Sequence, residues 1–425
     1  MISQQMETTT TRFAHKRLFI TLACLLGHLA IATNPLLCSA QEQEVRWKAH
    51  WEWIPGNPRP KNYYLYLRKI VDFPESLDQA TAFVSADNRY KLFVNGKFLG
   101  RGPARSDPRE QSYDVYDFSR ELKLGKNVIA ALVHHYGVST GAYILGRGGF
   151  LFQCEAIIKS QSTVEILSNH SWKVARDTAW FQQAPRISSP LGFVEVYDAN
   201  LEPHGWQTRD FDDSFWQSAS IISSGGSRTP PGILPFRSDV PIKNSVPIRP
   251  WMKPVQRDIP MLQEEERAPV SVVDYRNLER NGISRGIMMS VDPLDIATAM
   301  SMAIPALLKV GKITNPENVL CRDGKFVIIQ NNSEPEGNIG LRDNYFVVDF
   351  GTVVVGRVRM TLDGVKGGVV DLGYTERLTD GRVVPKMGSR YADRYLMRDG
   401  PQTWGPFGWK TFRYVLRRFA IARNP

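Results

Sequence analysis

Cysteine is scarce in this 425-residue chain: four residues, with no CxxC spacing of the kind that carries dithiol or zinc chemistry. Long apolar runs are missing after residue 40, so no later segment is expected to span a membrane. Helical periodicity is nearly missing too. "DPLDIATAMSMAIPALLKV" (292–310) is the one convincing helical stretch, and Pro305 interrupts it. The loop "GRGPARSD" (100–107) has glycines and arginines but no GK[ST], which excludes a phosphate-cradling P-loop. The formal net charge is +10, yet the basic residues are interspersed with acids. A solvated basic surface is expected, not a nucleic-acid partner.

The amino terminus reads as an export signal. His15-Lys16-Arg17 is a basic start, Leu18 to Ala32 an apolar run of signal-peptide length, and Cys38 and Ala40 are the small residues before a cut after Ala40. Leu37 is bulky where a lipoprotein signal wants a small residue. Residues 1–40 are therefore expected to be a signal peptide, and the mature chain to be periplasmic or extracellular. Removal takes away three cations and one anion and leaves about +8 of the +10. Cys154 and Cys321 remain. One disulfide between them is open, and two buried thiols are the simpler expectation.

What is abundant is β signal. Aromatic residues number 10 Trp, 15 Tyr and 20 Phe. "YYLYLRKIVDF" (63–73), "YKLFVNG" (90–96), "NVIAALVHHY" (127–136) and "GFLFQCEAII" (149–158) read as strands, separated by Gly, Pro and Asn at short spacing. Asn95-Gly96 is the strongest hairpin turn, since both residues tolerate positive φ. The pattern predicts a β-sandwich over 45–222. In "GWQTRDFDDSFW" (205–216), Asp212, Asp213 and Ser214 should bond local backbone, with Phe215 and Trp216 packing inward. A calcium loop there would need a following Gly and a distal Glu, and both are missing. Residues 223–317 read as a Pro- and Gly-rich linker holding the short helical stretch. Strands return over 318–425 as a second sandwich, with Asp380-Gly381 as another hairpin turn. The fold class expected is all-β.

Motifs with possible chemistry are weak. "GVSTG" (137–141) centres on Ser139, but "AYILGRGGF" follows where a nucleophile elbow needs a helix. His134 and His135 are adjacent on a strand, so their side chains point to opposite faces and cannot share one metal easily. Arg101 and Arg105 could pair with carboxylates or bond sugar hydroxyls. A glycosidase needs two carboxyl groups flanking one bond. Asp371, Glu376 and Asp380 are candidates, but Asp371 and Glu376 are an odd number of positions apart and face opposite ways on a continuous strand.

Seven segments, in order, carry a family resemblance. They are "WEWIPGNP" (51–58), "SADNRYKLFVNGKFLGRGPARSD" (85–107), "YDVYDFSRELKLGKNVIAALV" (113–133) and "YDANLEPHGWQTRDFDDSFW" (197–216). "RDIPMLQE" (257–264), "VVDFGTVVVGRVRM" (347–360) and "DLGYTERLTDGRVVPKMGSRYADRYLMRDGPQTWGPFGWKTFRYV" (371–415) complete the set. Together they resemble the amino-terminal, non-catalytic half of bacterial α-L-rhamnosidases, glycoside hydrolase family 78.

The resemblance implies a galactose-binding-like jelly roll, then a concanavalin-like β-sandwich, then an (α/α)6 barrel bearing the catalytic acids. This chain stops at Pro425, where that barrel would begin, so it is expected to be inactive alone and to carry no catalytic residue. A rhamnose-containing glycan and a helical catalytic domain, in cis or in trans, are the implied partners. A free-standing glycan-binding adhesin is the remaining alternative. The resemblance also implies that Asp87 and Asn88 hold calcium and sugar, as the Asp-Asn pair does in rhamnose-binding relatives. Calcium suits hard oxygen ligands of this kind. The pattern departs at Gln111, where an aromatic is usual, and at His135-Tyr136, where Trp-Asn is usual. Tyr136 would then be the stacking residue. Read without the resemblance, Asp87-Asn88 caps a turn before the hairpin.

Overall fold

The computed structural model describes residues 45–107, 109–224, 253–279, 304–305, 312–321, 327–330, 342–385 and 390–421. Residues 1–40, read from the sequence as a signal peptide, lie outside them. The protein is all-β, and three large sheets are stacked by two apolar cores.

The first sheet has seven strands. Ser220–Ser224, His50–Trp53, Phe150–Ile158, Leu77–Ala86, Ser112–Asp117 and Val255–Gln256 lie side by side, and Thr163–Leu167 also pairs with Phe150–Ile158. The second has six, in the order Gln217–Ser218, Lys173–Arg176, Tyr63–Phe73, Gly125–His135, Arg89–Val94 and Lys97–Gly102. Together they make the jelly-roll sandwich. Its core alternates along each strand, as a period of two requires. Leu65 and Leu67, Tyr90 and Leu92, and Ile129 and Ala131 face Ala80, Ala82, Val84 and Phe152. Asn95 and Gly96 have φ of 50° and 83°, the primed turn expected of this hairpin.

The third sheet joins Val196–Asp198, Ala392–Leu396, Gly368–Thr375, Lys410–Ile421, Arg342–Gly356, Ser271–Glu279 and Ile304–Pro305. It packs on the outer face of the six-stranded sheet. Tyr64, Tyr66, Val128, Ala130 and Leu132 from that face meet Val348, Val370, Tyr374 and Val415. The six-stranded sheet is thus buried on both faces. This accounts for the unbroken apolar run in "NVIAALVHHY", where alternation would mark a half-solvated strand.

Two segments read as linker are in fact strands. Val255–Gln256 adds in parallel to Ser112–Asp117, and Ser271–Glu279 pairs with Arg342–Gly356 along its length. Their short or interrupted apolar content hid them, and their partners are distant in sequence. In the stretch read as helical, only Ile304 and Pro305 are described, and both are extended. A short 3-10 turn at Pro316–Leu320 follows. The two described cysteines are both unpaired. Cys154 is buried as expected, whereas Cys321 is exposed just after that turn.

The loop 205–216 wraps a buried cation. Arg68, on the outer face of the six-stranded sheet, is fully buried and donates Nε to Asp213 Oδ2 at 2.9 Å and Nη1 to Thr208 O at 2.9 Å. Asp212 Oδ1 accepts the Ser214 N–H, the local bond anticipated. Trp216 packs inward, but Phe215 is 72% exposed, contrary to the sequence reading. Trp216 takes the interior place against Tyr66, which leaves its neighbour facing solvent.

Candidate functional site

Asp87 follows the end of Leu77–Ala86 and stands at the bend before the hairpin, beside the last residue of Gly125–His135. Its side chain is inside the protein. Asp87 Oδ2 lies 3.0 Å from His135 Nδ1 and also accepts the Tyr143 hydroxyl proton. Accepting from His135 places that ring's proton on Nδ1. The Tyr143 oxygen in turn accepts the Gly146 N–H at 2.8 Å. Burial, then the Asp87 charge, pushes the Tyr143 hydroxyl well above its ordinary value, so it stays a donor. Gly146 is required here for space: a Cβ on it would stand 1.7 Å from Asp87 Oδ1.

Three polar atoms of this cluster are buried without a hydrogen-bond partner among the described residues: Asp87 Oδ1, Asn88 Oδ1 and His135 Nε2. Such an atom costs about 1–3 kcal/mol. Two of them are hard oxygens on consecutive residues, which fits the start of a calcium shell. No group of three acidic, His or Cys side chains converges there among the described residues, so the remaining ligands of such a shell would have to come from backbone, water or ligand oxygens. Gln111, in the place of the usual aromatic, is buried and donates Nε2 to Ala86 O at 2.9 Å.

Tyr136 follows His135 in the chain and has the Tyr143 ring 5.7 Å from its own. It is buried, and its ring carries the Arg89 guanidinium at 5.1 Å. Arg89 also lies 4.4 Å from the ring of Trp409, which is 46% exposed. These residues line a cleft of about 180 Å³ between the first 200 residues and the last 40, with Phe193, Glu195 and Lys410 on its walls. Glu195 Oε1 and Oε2 accept the N–H groups of Gly408 and Phe407 at 2.7 and 2.6 Å. Lys410 Nζ donates to both oxygens of Asp393, at 2.8 and 2.6 Å. His134 lies flat on Tyr64, 3.9 Å apart, and its Nε2 is 3.0 Å from Asn62 Oδ1. Burial and the Arg89 charge hold it well below the usual histidine range, so it is neutral. The two adjacent histidines do face opposite ways.

The other candidates are structural. Asp371 is fully buried and held by Arg394, at 2.7 and 2.9 Å, and by Arg418 at 2.7 Å. Glu376 and Asp380 are exposed, and Asp380 has the positive φ of its turn. Ser139 Oγ accepts the Leu145 N–H at 3.2 Å, and no helix follows it. Arg101 pairs with Glu264 at 3.0 Å, and Arg105 donates to Gly141 O. The sequence reading missed Tyr143, Arg89 and Trp409 as site neighbours, and placed His135 there only as a departure from the family pattern. Arg89 stands inside the quoted "ADNRY", but nothing in its spacing marks its contact with a tryptophan 320 positions later.

Comparison with known proteins agrees with this architecture. Residues 75–245 match the α-L-rhamnosidase N-terminal domain, and residues 339–418 match the bacterial α-L-rhamnosidase concanavalin-like domain. An α-L-rhamnosidase of Formosa agariphila is 26% identical over 209 residues, 41% of this chain and 20% of that protein. One of Streptomyces avermitilis is 27% identical over 152 residues, 33% of this chain and 14% of that protein. The chain thus matches a fifth or less of these relatives' length. Among solved structures, the GH78 rhamnosidase of Bacillus sp. GL1 superposes with a TM-score of 0.65 at 20% identity, covering 89% of this chain and 54% of that one. The Streptomyces avermitilis α-L-rhamnosidase solved with L-rhamnose gives 0.54 at 19% identity, covering 85% and 28%. By two successive domains in family order, the chain belongs to the bacterial α-L-rhamnosidases, of which it carries the N-terminal and concanavalin-like β-domains.

Proposed function

We propose that the chain supplies non-catalytic β-domains of an α-L-rhamnosidase-type protein, exported by its amino-terminal segment, and that these domains bind a rhamnose-containing glycan weakly with the help of calcium. The observation that carries the binding role is the pair of buried, unpartnered oxygens on Asp87 and Asn88. Calcium bound there would bridge these oxygens to vicinal sugar hydroxyls. The non-catalytic part is supported by the state of the buried carboxylates in the second sandwich. Asp349, Asp371 and Asp393 are each neutralised by an arginine or a lysine, which leaves none of these three free for acid–base work.

The test is calorimetric titration of L-rhamnose into the purified chain, with calcium or with a chelator. Heat of binding with calcium, lost with chelator and in Asn88→Ala, is expected. Binding indifferent to the chelator sinks the calcium role. Release of nitrophenol from p-nitrophenyl α-L-rhamnoside by the chain alone overturns the non-catalytic reading.

Exposed apolar side chains favour a second role, as a scaffold for a helical catalytic barrel. Leu262 is 71% exposed, Val355 68% and Ile259 55%. Co-purification from the native source without any glycosidase would count against it.

A further inference from the structure

We infer that the cleft beside Arg89 binds a carboxylated pyranose, a hexuronate, with the Arg89 guanidinium taking the carboxylate. The site is separate from Asp87-Asn88 and does not depend on calcium.

A guanidinium has five N–H donors. Among the described residues, those of Arg89 meet no hydrogen-bond acceptor and no carboxylate within ion-pair distance. Its guanidinium lies against the rings of Tyr136 and Trp409. Two neighbouring cations are already engaged. Lys410 is committed to Asp393, and Arg186 donates to Leu191 O and Ser139 O at 3.1 and 3.0 Å. The aromatic contacts hold the planar fork of Arg89 in place before any ligand arrives, so little freedom is lost on binding. A half-buried guanidinium with its donors unused and its plane fixed is suited to a bidentate carboxylate.

Charge and size narrow the class. Of the described side chains that line the cleft, Arg89 and Lys410 are cations and Glu195 is the carboxylate, which leaves one cation in excess. That matches a monoanion better than a phosphate dianion, which Glu195 would repel. A volume of about 180 Å³ suits a single sugar ring rather than an extended chain. The walls offer the rings of Tyr136, Phe193, Trp409 and Tyr391 for the C–H face of a pyranose. Thr411 and Tyr391 bring hydroxyls that can bond ring substituents. Small-ligand sites combine apolar walls with a few polar anchors in this way.

The experiment is titration of the full chain with D-galacturonate, D-galactose, acetate and inorganic phosphate, followed by calorimetry and saturation-transfer NMR, in the presence of chelator. Galacturonate should bind at least tenfold more tightly than galactose, acetate or phosphate. Arg89→Met should lose at least tenfold of that affinity, and Arg89→Lys, which keeps the charge but not the fork, should fall between. Equal binding of galactose and galacturonate overturns the assignment, as does undiminished binding in Arg89→Met or no galacturonate binding at all. Acetate or phosphate matching galacturonate reduces the site to a general anion contact and overturns the sugar assignment. If Arg89→Met fails to fold, the ligand comparison on the natural chain and Arg89→Lys still decide the outcome. Chelator separates this site from the rhamnose reading, so either can fail alone.

Discussion

Glu195 accepts the backbone N–H of Gly408 at 2.7 Å, across 213 positions of chain. Its other oxygen takes the N–H of Phe407, and its own N–H donates to Asp393 Oδ1 at 3.0 Å. The strand that follows, Val196–Asp198, pairs in parallel with Ala392–Leu396. One carboxylate therefore ties the loop leaving the jelly roll to the turn before the last strand, Lys410–Ile421.

Glu195→Ala should leave two buried N–H groups and the Lys410–Asp393 pair without their neighbour. A loss of about 2–4 kcal/mol is expected. Chemical denaturation should show one cooperative transition at lower denaturant in the variant. An unchanged midpoint would mean that the two sandwiches are not coupled through this residue.

Asp371→Asn should behave as the loss of a structural ion. Arg394 and Arg418 are both buried against it, and the substitution removes the carboxylate charge that both of them hold. The expected cost is about 3–5 kcal/mol. Thermal melting measures it. Rhamnose affinity of the folded fraction should not change, since Asp371 touches neither candidate site.

Gly146→Ala tests the packing around Asp87. The added methyl would overlap the Asp87 Oδ1 position, so the carboxylate or the loop must move. Destabilisation of about 1–3 kcal/mol is expected. Any calcium-dependent rise in melting temperature should disappear with it.

Asp177 makes stability depend on pH. Burial pushes its carboxyl up to about 7, while Oδ1 accepts the Ala179 N–H. An unfolded Asp titrates near 3.9. Between about pH 4 and pH 7 the folded state holds the proton that the unfolded state has released. Stability from this group therefore falls as pH rises through that window and levels off above it. Glu52, raised by burial as well, acts in the same direction. Asp177→Asn should flatten the slope and stabilise the protein near pH 8. A denaturation series from pH 4.5 to 8 compares the two, and parallel curves would refute the assignment.

The two families of strands were legible for a physical reason. Alternation in "YKLFVNG" and the unbroken apolar run in "NVIAALVHHY" each report the burial of their own sheet face. Asn95-Gly96 and Asp380-Gly381 mark turns because their positive φ is a local requirement. Strands Val255–Gln256 and Ser271–Glu279 were not legible, because what makes them strands is a distant edge that needs pairing. Asp87 and Asn88 could be singled out only through the family resemblance. That Asp87 is buried against His135 and Tyr143 is set by the 137–149 loop, which spacing does not foresee.

The sequence by itself determined an all-β chain, its hairpin turns, its opposed histidines and its membership among rhamnosidase-like domains. Each of these is written in local periodicity or in an ordered set of motifs. Only the tertiary structure decided that the six-stranded sheet is buried on both faces, that Asp371 is an ion-paired strut, and that Arg89 reaches Trp409. Those facts depend on which sheet lies over which, a choice made by cores assembled from residues hundreds of positions apart.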